Sequence, residues 1–541
     1  MKRLLRFFAN AALLTAASLL MRTVGVAFNA YVSDRIGAAG MGLFTLVMSV
    51  YTLAVTLATS GINLAATRMT AEAIGKESDR EIRAVMRRCL VYSAAMGLLT
   101  CLLLQLTADY IGCEWLADAR TVPSLRFLGI SMPFIAVSSA MNGYFTAVRR
   151  VAKSAAAQIF EQFVKILLTS VGLACLAPRG IRDACLAVVA GGSLAEIASF
   201  LLSLLLYRLD LRKHNKSTGS VMPHLTKRLL AITLPVAISS YLRSGLITVE
   251  HILIPYGLRK FGSAHEAALA SYGILAGMAL PIIFYPASLL YSFTGLIIPE
   301  LSETKQRGGE RTIGSITAQM FRWTLLYGIG AGGIILSFSG KLGQCIYQNA
   351  EAGEYLRLTA PLIPIMYLDS SVDAMLKGLG EQLYCMLVNI ADAALSVLMV
   401  WFLVPAYGVR GYIFVMFASE IFNAALSICR LLRITGLRVK LLKWLAAPLL
   451  SVIGATASAR LVFGLKPLLL PDGAALLIEI LSACLLYFVF LLLLGAVGSP
   501  RKQLARLFRA CGKKKTLSSE ADTKAASSGP AHRRKKTVPA R

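Results

Sequence analysis

The chain has 541 residues, of which 56% are hydrophobic and 16% charged, and its formal net charge is +28. A soluble protein of this length would hold roughly 25% charged residues, so the composition excludes an ordinary soluble domain. Apolar runs of about twenty residues recur from Ala9 to Val497, and each can cross a hydrocarbon core of about 30 Å as a helix. Because only helices and closed barrels satisfy the backbone inside lipid, these runs predict an all-α integral membrane protein.

About fourteen transmembrane helices are predicted from these runs. In chain order they cover residues 9–32, 41–66, 89–111, 123–148, 154–177, 184–207, 229–256, 268–298, 322–346, 355–377, 384–404, 410–430, 442–463 and 474–497. The first run follows a basic N-terminus, and we interpret it as an uncleaved helix and not as a signal peptide. No segment between helices is long enough for a catalytic domain, which favours a non-enzymatic protein.

The distribution of basic residues predicts the orientation of these helices. With the N-terminus placed inside, 41 of the 56 Lys and Arg fall in inner segments and 9 in outer ones. Because inner loops are enriched in Lys and Arg, both termini are predicted to be cytoplasmic. Anionic inner-leaflet lipids are the expected partners of the basic loops and tail, so the net charge requires no nucleic acid.

An internal repeat predicts two six-helix lobes. LRFLGISMPFIAVSSAMNGYF aligns without a gap with LRLTAPLIPIMYLDSSVDAML, which places Arg126 opposite Arg357, and the first helix aligns with the seventh, which places Arg22 opposite Arg243. The repeat is parallel, and transporters of this plan bind substrate between their halves. The predicted units are an N-terminal lobe, an inter-lobe loop, a C-terminal lobe, two additional transmembrane helices and a disordered basic tail, at 1–208, 209–228, 229–432, 433–498 and 499–541.

The cysteines and histidines give no sign of a metal site or a cofactor. The ten cysteines are scattered singly, and the five histidines are equally dispersed. Because neither residue type shows a ligand spacing or a paired spacing, we expect no metal, no cofactor and no disulfide framework.

Arg22 and Arg243 occupy equivalent positions of the repeat near the middle of the first and seventh helices. A charge at mid-membrane costs about 2.5–3.5 kcal/mol, so each arginine should face a cavity or a partner. Asn29 and Glu250 follow two turns later on the same helix faces. Since an arginine offers paired donors to phosphate oxygens, these four residues are predicted to bind substrate in a central cavity. The alternative for Arg243 is neutralisation by Glu250.

A polar stripe marks the fifth helix. Gln158, Glu161 and Lys165 lie at helical spacing, and the repeat places Asp392 at the position of Glu161. The stripe predicts either a polar cavity or an internal salt bridge between Glu161 and Lys165, which are four residues apart in the favourable order.

Two carboxylates mark the tenth helix. Asp369 and Asp373 are one turn apart, an arrangement that suits a cation or proton site because two close carboxylates disfavour joint ionisation. The alternative is that Lys377, one turn after Asp373, neutralises it.

Several stretches resemble a known superfamily. SYLRSGLITVEHILIPYGLRKFG and MNGYFTAVRRVAKSAAAQIFEQ resemble the polysaccharide biosynthesis branch of the multidrug/oligosaccharidyl-lipid/polysaccharide flippases, in the group around stage V sporulation protein B. FYPASLLYSFTGLIIPELSE resembles the eighth helix of that group and of the MurJ-type lipid flippases. The resemblance covers about residues 4–500. It implies export of lipid-linked oligosaccharides, namely undecaprenyl-pyrophosphate-linked saccharides such as a peptidoglycan precursor, across a bacterial plasma membrane.

The resemblance also bears on the site. The membrane arginines of the MurJ-type flippases are thought to hold the pyrophosphate, and Arg22 matches their first-helix arginine, whereas Phe28 stands where they have a second one. Arg243 is expected to substitute. One alternative is a cation-coupled multidrug antiporter of the same superfamily, with Asn29 and Asp34 near the position of its first-helix aspartate. Another is a non-transporting scaffold whose tail recruits cell-wall synthesis enzymes.

Overall fold

The computed structural model describes residues 2–76, 78–211, 224–306, 308–437, 441–465 and 471–496. Within these ranges the chain forms helices and no strand, which confirms the predicted all-α class. The helices are α1 (Lys2–Thr59), α2 (Ile62–Gly75), α3 (Asp79–Tyr110), α4 (Val122–Ala147), α5 (Val151–Leu176), α6 (Ile181–Leu211), α7 (Leu225–Lys260), α8 (His265–Tyr272), α9 (Leu280–Gln306), α10 (Glu310–Tyr347), α11 (Ala350–Thr359), α12 (Ile363–Gly378), α13 (Gln382–Thr435), α14 (Leu441–Leu465) and α15 (Asp472–Leu493). A π-helical segment, Gly273–Ala279, joins α8 to α9.

Two of these helices are far too long for a single crossing. α1 has 58 residues and α13 has 54, and at 1.5 Å per residue each extends about 80 Å. Each bends at one glycine in the left-handed region, Gly37 with φ 71° and Gly408 with φ 60°, where a side chain would be strained. The predicted helices 384–404 and 410–430 therefore both lie in α13. α1 holds the predicted helix 9–32 and most of 41–66, whose last residues belong to α2. By length and composition, eleven helices of the described ranges are sufficient to cross a membrane, so the chain is a multi-pass membrane protein and the number fourteen stays a prediction.

The sequence repeat reappears in helix packing. A Cβ atom on Gly97 of α3 would lie 2.6 Å from the Cα atom of Pro133 in α4. At the equivalent positions of the second half, a Cβ atom on Gly328 of α10 would lie 3.0 Å from the Cα atom of Pro364 in α12. Both sites therefore require glycine for the same close approach of two helices, which supports a repeat of structure as well as of sequence.

An ion pair closes the same helix junction in both halves, with its charges exchanged. Arg150, at the start of α5, contacts Asp210 near the end of α6. In the second half, Glu381 at the start of α13 pairs with Arg430 at 2.8 Å. Arg150 and Glu381 occupy equivalent positions of the repeat, so the attraction is retained although its sign pattern is reversed. These contacts support two lobes, whose boundaries stay predictions.

The two halves meet along two seams. At the first, the early part of α1 contacts α9, where Arg22 donates a hydrogen bond to the Phe284 carbonyl at 3.1 Å. At the second, α7 contacts the later part of α1, where the Thr248 hydroxyl donates to the Ser49 carbonyl at 3.3 Å and the Tyr241 hydroxyl to the Leu57 carbonyl at 3.1 Å. The bend at Gly37 lets the part of α1 before it contact α9 and the part after it contact α7.

An ion network joins the halves at the end of the bundle that the charge distribution predicts to be outside. Arg120 bonds Asp118 at 2.6 Å and Glu266 at 2.8 Å, and the His265 ring lies 3.1 Å from Asp118. Burial by itself would raise the pKa of the Asp118 carboxyl, but hydrogen bonds from Arg120 and His265 outweigh burial and hold that pKa below its usual value. The network ties the loop before α4 to the start of α8.

α14 and α15 pack onto a glycine face of α10. A Cβ atom on Gly330 would lie 2.4 Å from the Tyr487 ring of α15, and one on Gly333 would lie 2.5 Å from Val452 of α14. The Tyr487 hydroxyl then reaches across to donate to the Leu326 carbonyl at 2.7 Å. This packing leaves a gap between α15, α9 and the first part of α1.

Candidate functional site

Arg22 lines a cavity of about 510 Å³ at the first seam, which we call the Arg22 cavity. Its walls come from α1, α5 and the start of α9 and comprise Met21, Arg22, Gly25, Val26, Asn29, Gln162 and Pro281. The side chain is half-buried, and its only hydrogen bond in the described chain goes to the Phe284 carbonyl. No carboxylate of the described residues forms an ion pair with it, so most of its donors stay available to an anion.

Asn29 lies in the same cavity, but its amide is committed to packing. The amide N–H groups donate to the Gly277 carbonyl at 2.7 Å and to the Tyr347 hydroxyl at 3.2 Å. Gly277 belongs to the π-helical segment, whose irregular hydrogen bonding leaves carbonyl groups for other donors. Asn29 thus fixes α1 to the second half and borders the space in front of Arg22.

Arg243 lines a different cavity, of about 540 Å³, at the second seam, which we call the Arg243 cavity. Its other walls are rich in hydroxyl groups from the later part of α1 and from α7, including Thr45, Ser49, Thr52, Thr56, Thr59, Ser60, Ser240, Ser244 and Thr248. We expected both arginines in one central cavity, and in this conformation they occupy two. The reason is the bend at Gly37, because α7 faces the α1 segment after the bend and Arg22 lies before it.

Glu250 does not neutralise Arg243. The two residues form no ion pair in the described chain, and Glu250 turns away from the Arg243 cavity toward Ser396 and Asp392 of α13. Arg243 interacts electrostatically with the carboxylate of Asp392. That carboxylate accepts a hydrogen bond from the Ser419 hydroxyl at 2.5 Å. Arg243 is exposed to its cavity.

The polar stripe of α5 divides between surface and interior. Gln158 is exposed, and Glu161 is half-buried beside Ser199 of α6. Glu161 and Lys165 are close enough to influence each other's charge, but no ion pair forms between them among the residues described. The predicted internal salt bridge is therefore wrong for this conformation, because Glu161 is directed toward α6.

Sequence reasoning missed a carboxylate beside Glu161. Glu196 of α6 lies close enough to Glu161 for their charges to interact, and it accepts a hydrogen bond from the Tyr51 hydroxyl of α1. The sequence does mark Glu196 as a candidate, because it is a lone acid in an apolar stretch and a charge inside a membrane span is costly. Glu420 was missed in the same way and joins the charges around Asp369.

The two carboxylates of α12 have different surroundings. Asp373 is neutralised as the alternative interpretation proposed, with Lys377 at 3.4 Å, Asn389 at 3.2 Å and Ser427 at 3.5 Å. Asp369 is also buried, but its Oδ1 atom has no hydrogen-bond partner among the described residues. Within those residues, no group of three or more His, Cys, Asp or Glu is arranged to hold a metal ion.

A large apolar groove adjoins the Arg22 cavity. Its volume is about 730 Å³, and its walls come from the early part of α1, α9, α10 and α15. Val26 lines both spaces, and Thr23, one residue from Arg22, lines the groove. The remaining walls are mostly aromatic and aliphatic, including Ile282, Tyr285, Trp323, Tyr327, Ile334, Ile346, Leu477, Ile480, Tyr487, Phe488 and Leu491. An arginine and a long apolar surface therefore lie side by side.

The fold is shared with solved membrane transporters. A structure described as lipid II flippase MurJ in an inward closed conformation matches with a TM-score of 0.65, covering 88% of this chain and 98% of that one at 14% identity. An inward-facing multidrug resistance MATE family transporter of the MOP superfamily matches with a TM-score of 0.59, covering 79% of this chain and 100% of that one at 14% identity.

Two curated relatives are sporulation proteins of one bacterium. Stage V sporulation protein B of Bacillus subtilis (strain 168) is 24% identical over 411 residues, which is 75% of this chain and 79% of the relative. Sporulation protein YkvU of the same organism is 23% identical over 382 residues, 69% of this chain and 83% of the relative. The model of the family described as polysaccharide biosynthesis protein matches residues 7–305. The chain is thus a multi-pass, all-helical membrane protein that belongs to the polysaccharide biosynthesis protein family.

Proposed function

We propose that this protein is a flippase that moves undecaprenyl-pyrophosphate-linked saccharides across a bacterial plasma membrane by alternating access. Family membership and a fold shared with a lipid flippase and a drug transporter support the coarser part, a membrane flippase. The observation that carries the finer part is that the Arg22 cavity and the apolar groove share Val26. A charged pocket beside a long apolar groove suits a molecule with an anionic head and a lipid tail.

The head of such a substrate fits the Arg22 cavity. A pyrophosphate offers several anionic oxygens, and a guanidinium holds two of them through parallel N–H donors. Arg22 uses one N–H on the Phe284 carbonyl, which orients the side chain and leaves the other donors for the substrate. Because no carboxylate of the described residues neutralises Arg22, an anion entering the cavity displaces no ion pair.

The tail fits the groove. A polyprenyl chain is branched, flexible and wholly apolar, and burying it against aromatic and aliphatic walls gains about 25 cal/mol per Å² of apolar area removed from water. The groove borders α15, one of the two helices outside the repeat, so we propose that these helices supply a wall for the lipid.

We assign Arg243 a role in a different conformation of the transport cycle. We propose that rocking of the two predicted lobes joins the Arg22 and Arg243 cavities into one central cavity, in which both arginines reach the pyrophosphate and the hydroxyl-rich walls of α7 contact the saccharide. Asn29 borders the Arg22 cavity, and we propose that Glu250, which is directed toward α13 in this conformation, reaches the joined cavity when the lobes rock.

Glu161 interacts with polar side chains of the first lobe, and Asp369, Asp373 and Asp392 interact with one another in the second. We propose that these carboxylates and the exposed Gln158 have a supporting role.

Reconstituted transport tests the proposal. Purified protein in liposomes should translocate a fluorescent undecaprenyl-pyrophosphate-linked saccharide, measured as the fraction that a membrane-impermeant reagent quenches over time. A fluorescent phosphatidylcholine in the same vesicles is the matched control and should stay protected. Translocation no faster than in protein-free vesicles would contradict the proposal, and cation-driven movement of organic dyes would favour the antiporter instead.

The proposed orientation is tested by cysteine labelling in a cysteine-free background. A cysteine at Ala264, in a predicted outer loop, should react with an impermeant maleimide in intact cells. A cysteine at Ser217, which lies outside the described residues, should react only after permeabilisation. The reverse pattern would invert the topology.

A further inference from the structure

A second cationic space lies far along the chain from the Arg22 cavity. It has a volume of about 720 Å³, and it is formed where the ends of α10, α14 and α15 meet α11. We call it the outer cationic cavity, because the basic-residue distribution predicts that these helix ends are outside. Three cations line it, Lys341, Arg357 and Arg460, together with one carboxylate, Glu479.

The single carboxylate compensates only one of the three cations. Glu479 is buried, and both of its oxygens lie 2.7 Å from the Lys341 ammonium group. Arg460 donates to the Ser337 backbone carbonyl and forms no ion pair in the described chain. Arg357 is exposed to the cavity and makes neither an ion pair nor a hydrogen bond with any described residue. Two guanidinium groups therefore face one space without a counter-ion.

The equivalent arginine in the first half of the repeat is compensated by an acid. Arg126 is the repeat equivalent of Arg357, and it pairs with Asp109 of α3 at 2.6 Å. The alignment that relates the two arginines places Gly340 at the position of Asp109. Gly340 lines the outer cationic cavity, and a Cβ atom there would meet no atom within 4 Å. The second half therefore has the arginine without the acid, and an open space lies where the acid would be.

We propose that the outer cationic cavity binds the phosphate head group of a lipid at the outer surface of the membrane. Two guanidinium groups offer paired donors to phosphate oxygens, and Leu336, Phe338 and Phe463 give an apolar wall for the adjoining chain. Two sources share this chemistry, an anionic phospholipid of the outer leaflet and a polyprenyl pyrophosphate after its translocation. Only the second source rests on the proposed flippase function.

Native mass spectrometry of the purified full-length chain tests the site, with phosphatidylglycerol and a polyprenyl pyrophosphate as separate probes and phosphatidylcholine as the neutral control. Gly340→Asp introduces the acid that Asp109 supplies in the first half and removes no cation. It should therefore weaken binding of a phosphate lipid about tenfold or more, as Arg357→Gln should. Gly340→Asn adds the same volume without the charge and should bind as the unaltered protein does. Arg126→Gln removes a compensated arginine and should also leave binding unchanged.

The pattern of loss identifies the lipid. Weakened phosphatidylglycerol binding in Gly340→Asp supports the site with a bulk phospholipid, and weakened binding of the pyrophosphate alone supports it with a polyprenyl lipid. Equal affinity of Gly340→Asp, Arg357→Gln and unaltered protein for both probes would overturn the proposal. That outcome would leave any Arg22-dependent translocation untouched, so the two proposals fail separately.

Discussion

Replacement of Arg22 is the sharpest test of how the protein holds its substrate. The proposed contact is a charge-assisted hydrogen bond from the guanidinium to a pyrophosphate oxygen, and losing one such bond costs on the order of 1.5–3 kcal/mol. This corresponds to roughly ten- to hundredfold in affinity. Arg22→Ala should therefore lower the translocation rate at low substrate concentration by that factor. Arg22→Lys keeps a point charge without the paired donors and should retain part of the rate.

The structure also sets the expected effect of Arg22→Ala on stability. The side chain is half-buried, forms one hydrogen bond to the Phe284 carbonyl and has no ion pair among the described residues. The substitution thus strands no buried charge and should cost only about 1 kcal/mol of stability, the net contribution of one ordinary hydrogen bond. Abundance in the membrane should stay near that of the unaltered protein.

The assay is therefore paired, with abundance by quantitative blot and translocation in proteoliposomes. Arg126→Ala is the matched control, since it removes the same charge from an exposed ion pair with Asp109 at 2.6 Å, and such pairs contribute about 0–1 kcal/mol. It should keep normal transport. Unchanged transport by Arg22→Ala, or a fall only in proportion to abundance, would refute the phosphate-site reasoning.

Three further predictions concern carboxylates. Asp373→Asn should retain transport, measured by complementation, because Lys377 already neutralises Asp373 at 3.4 Å; complete loss at normal abundance would instead indicate an ion site. Asp118 has a lowered folded-state pKa, so its stabilising effect is present above its unfolded pKa of about 3.9 and is lost as pH falls through the folded value. Asp118→Asn should thus melt at a lower temperature at neutral pH, with a difference that shrinks below about pH 4; a pH-independent difference would contradict this. Asp210 is fully buried beside Arg150, so Asp210→Asn should destabilise the folded protein on the order of 3 kcal/mol. The variant should show lower abundance with unchanged transport per molecule. Unchanged thermal stability would contradict the ion-pair role.

Much of the architecture could be predicted from the sequence because lipid offers no hydrogen-bond partners to the backbone. A segment that crosses the membrane must be apolar and helical along its whole length, so the spans and the all-α class could be read from each segment separately. The same demand makes a charged residue in a span conspicuous, which is how Arg22, Arg243 and Asp373 were singled out. Glu196 and Glu420 are also charged residues within apolar stretches, so the same reasoning could have identified them.

Tertiary structure decided which of these residues meet. The bend at Gly37 sends Arg22 and Arg243 to different seams, the turn of Glu161 toward α6 leaves Lys165 unpaired with it, and Glu250 contacts α13 and not Arg243. Such outcomes depend on helix rotation and on close approaches between residues far apart in the chain, which a segment's own composition does not encode.

Arg126 and Arg357, at the outer helix ends, show the same difference between what the sequence predicts and what the tertiary structure decides. Sequence alignment identified Arg126 and Arg357 as equivalents and did not distinguish them. Only the structure shows that Arg126 is neutralised by Asp109 of α3, while Arg357 faces an open cavity formed where α14 and α15 pack against α10 beside Gly340. Apolar segments and a repeated sequence can be recognised along the chain itself, whereas the neutralisation of a charge depends on which helix lies opposite it.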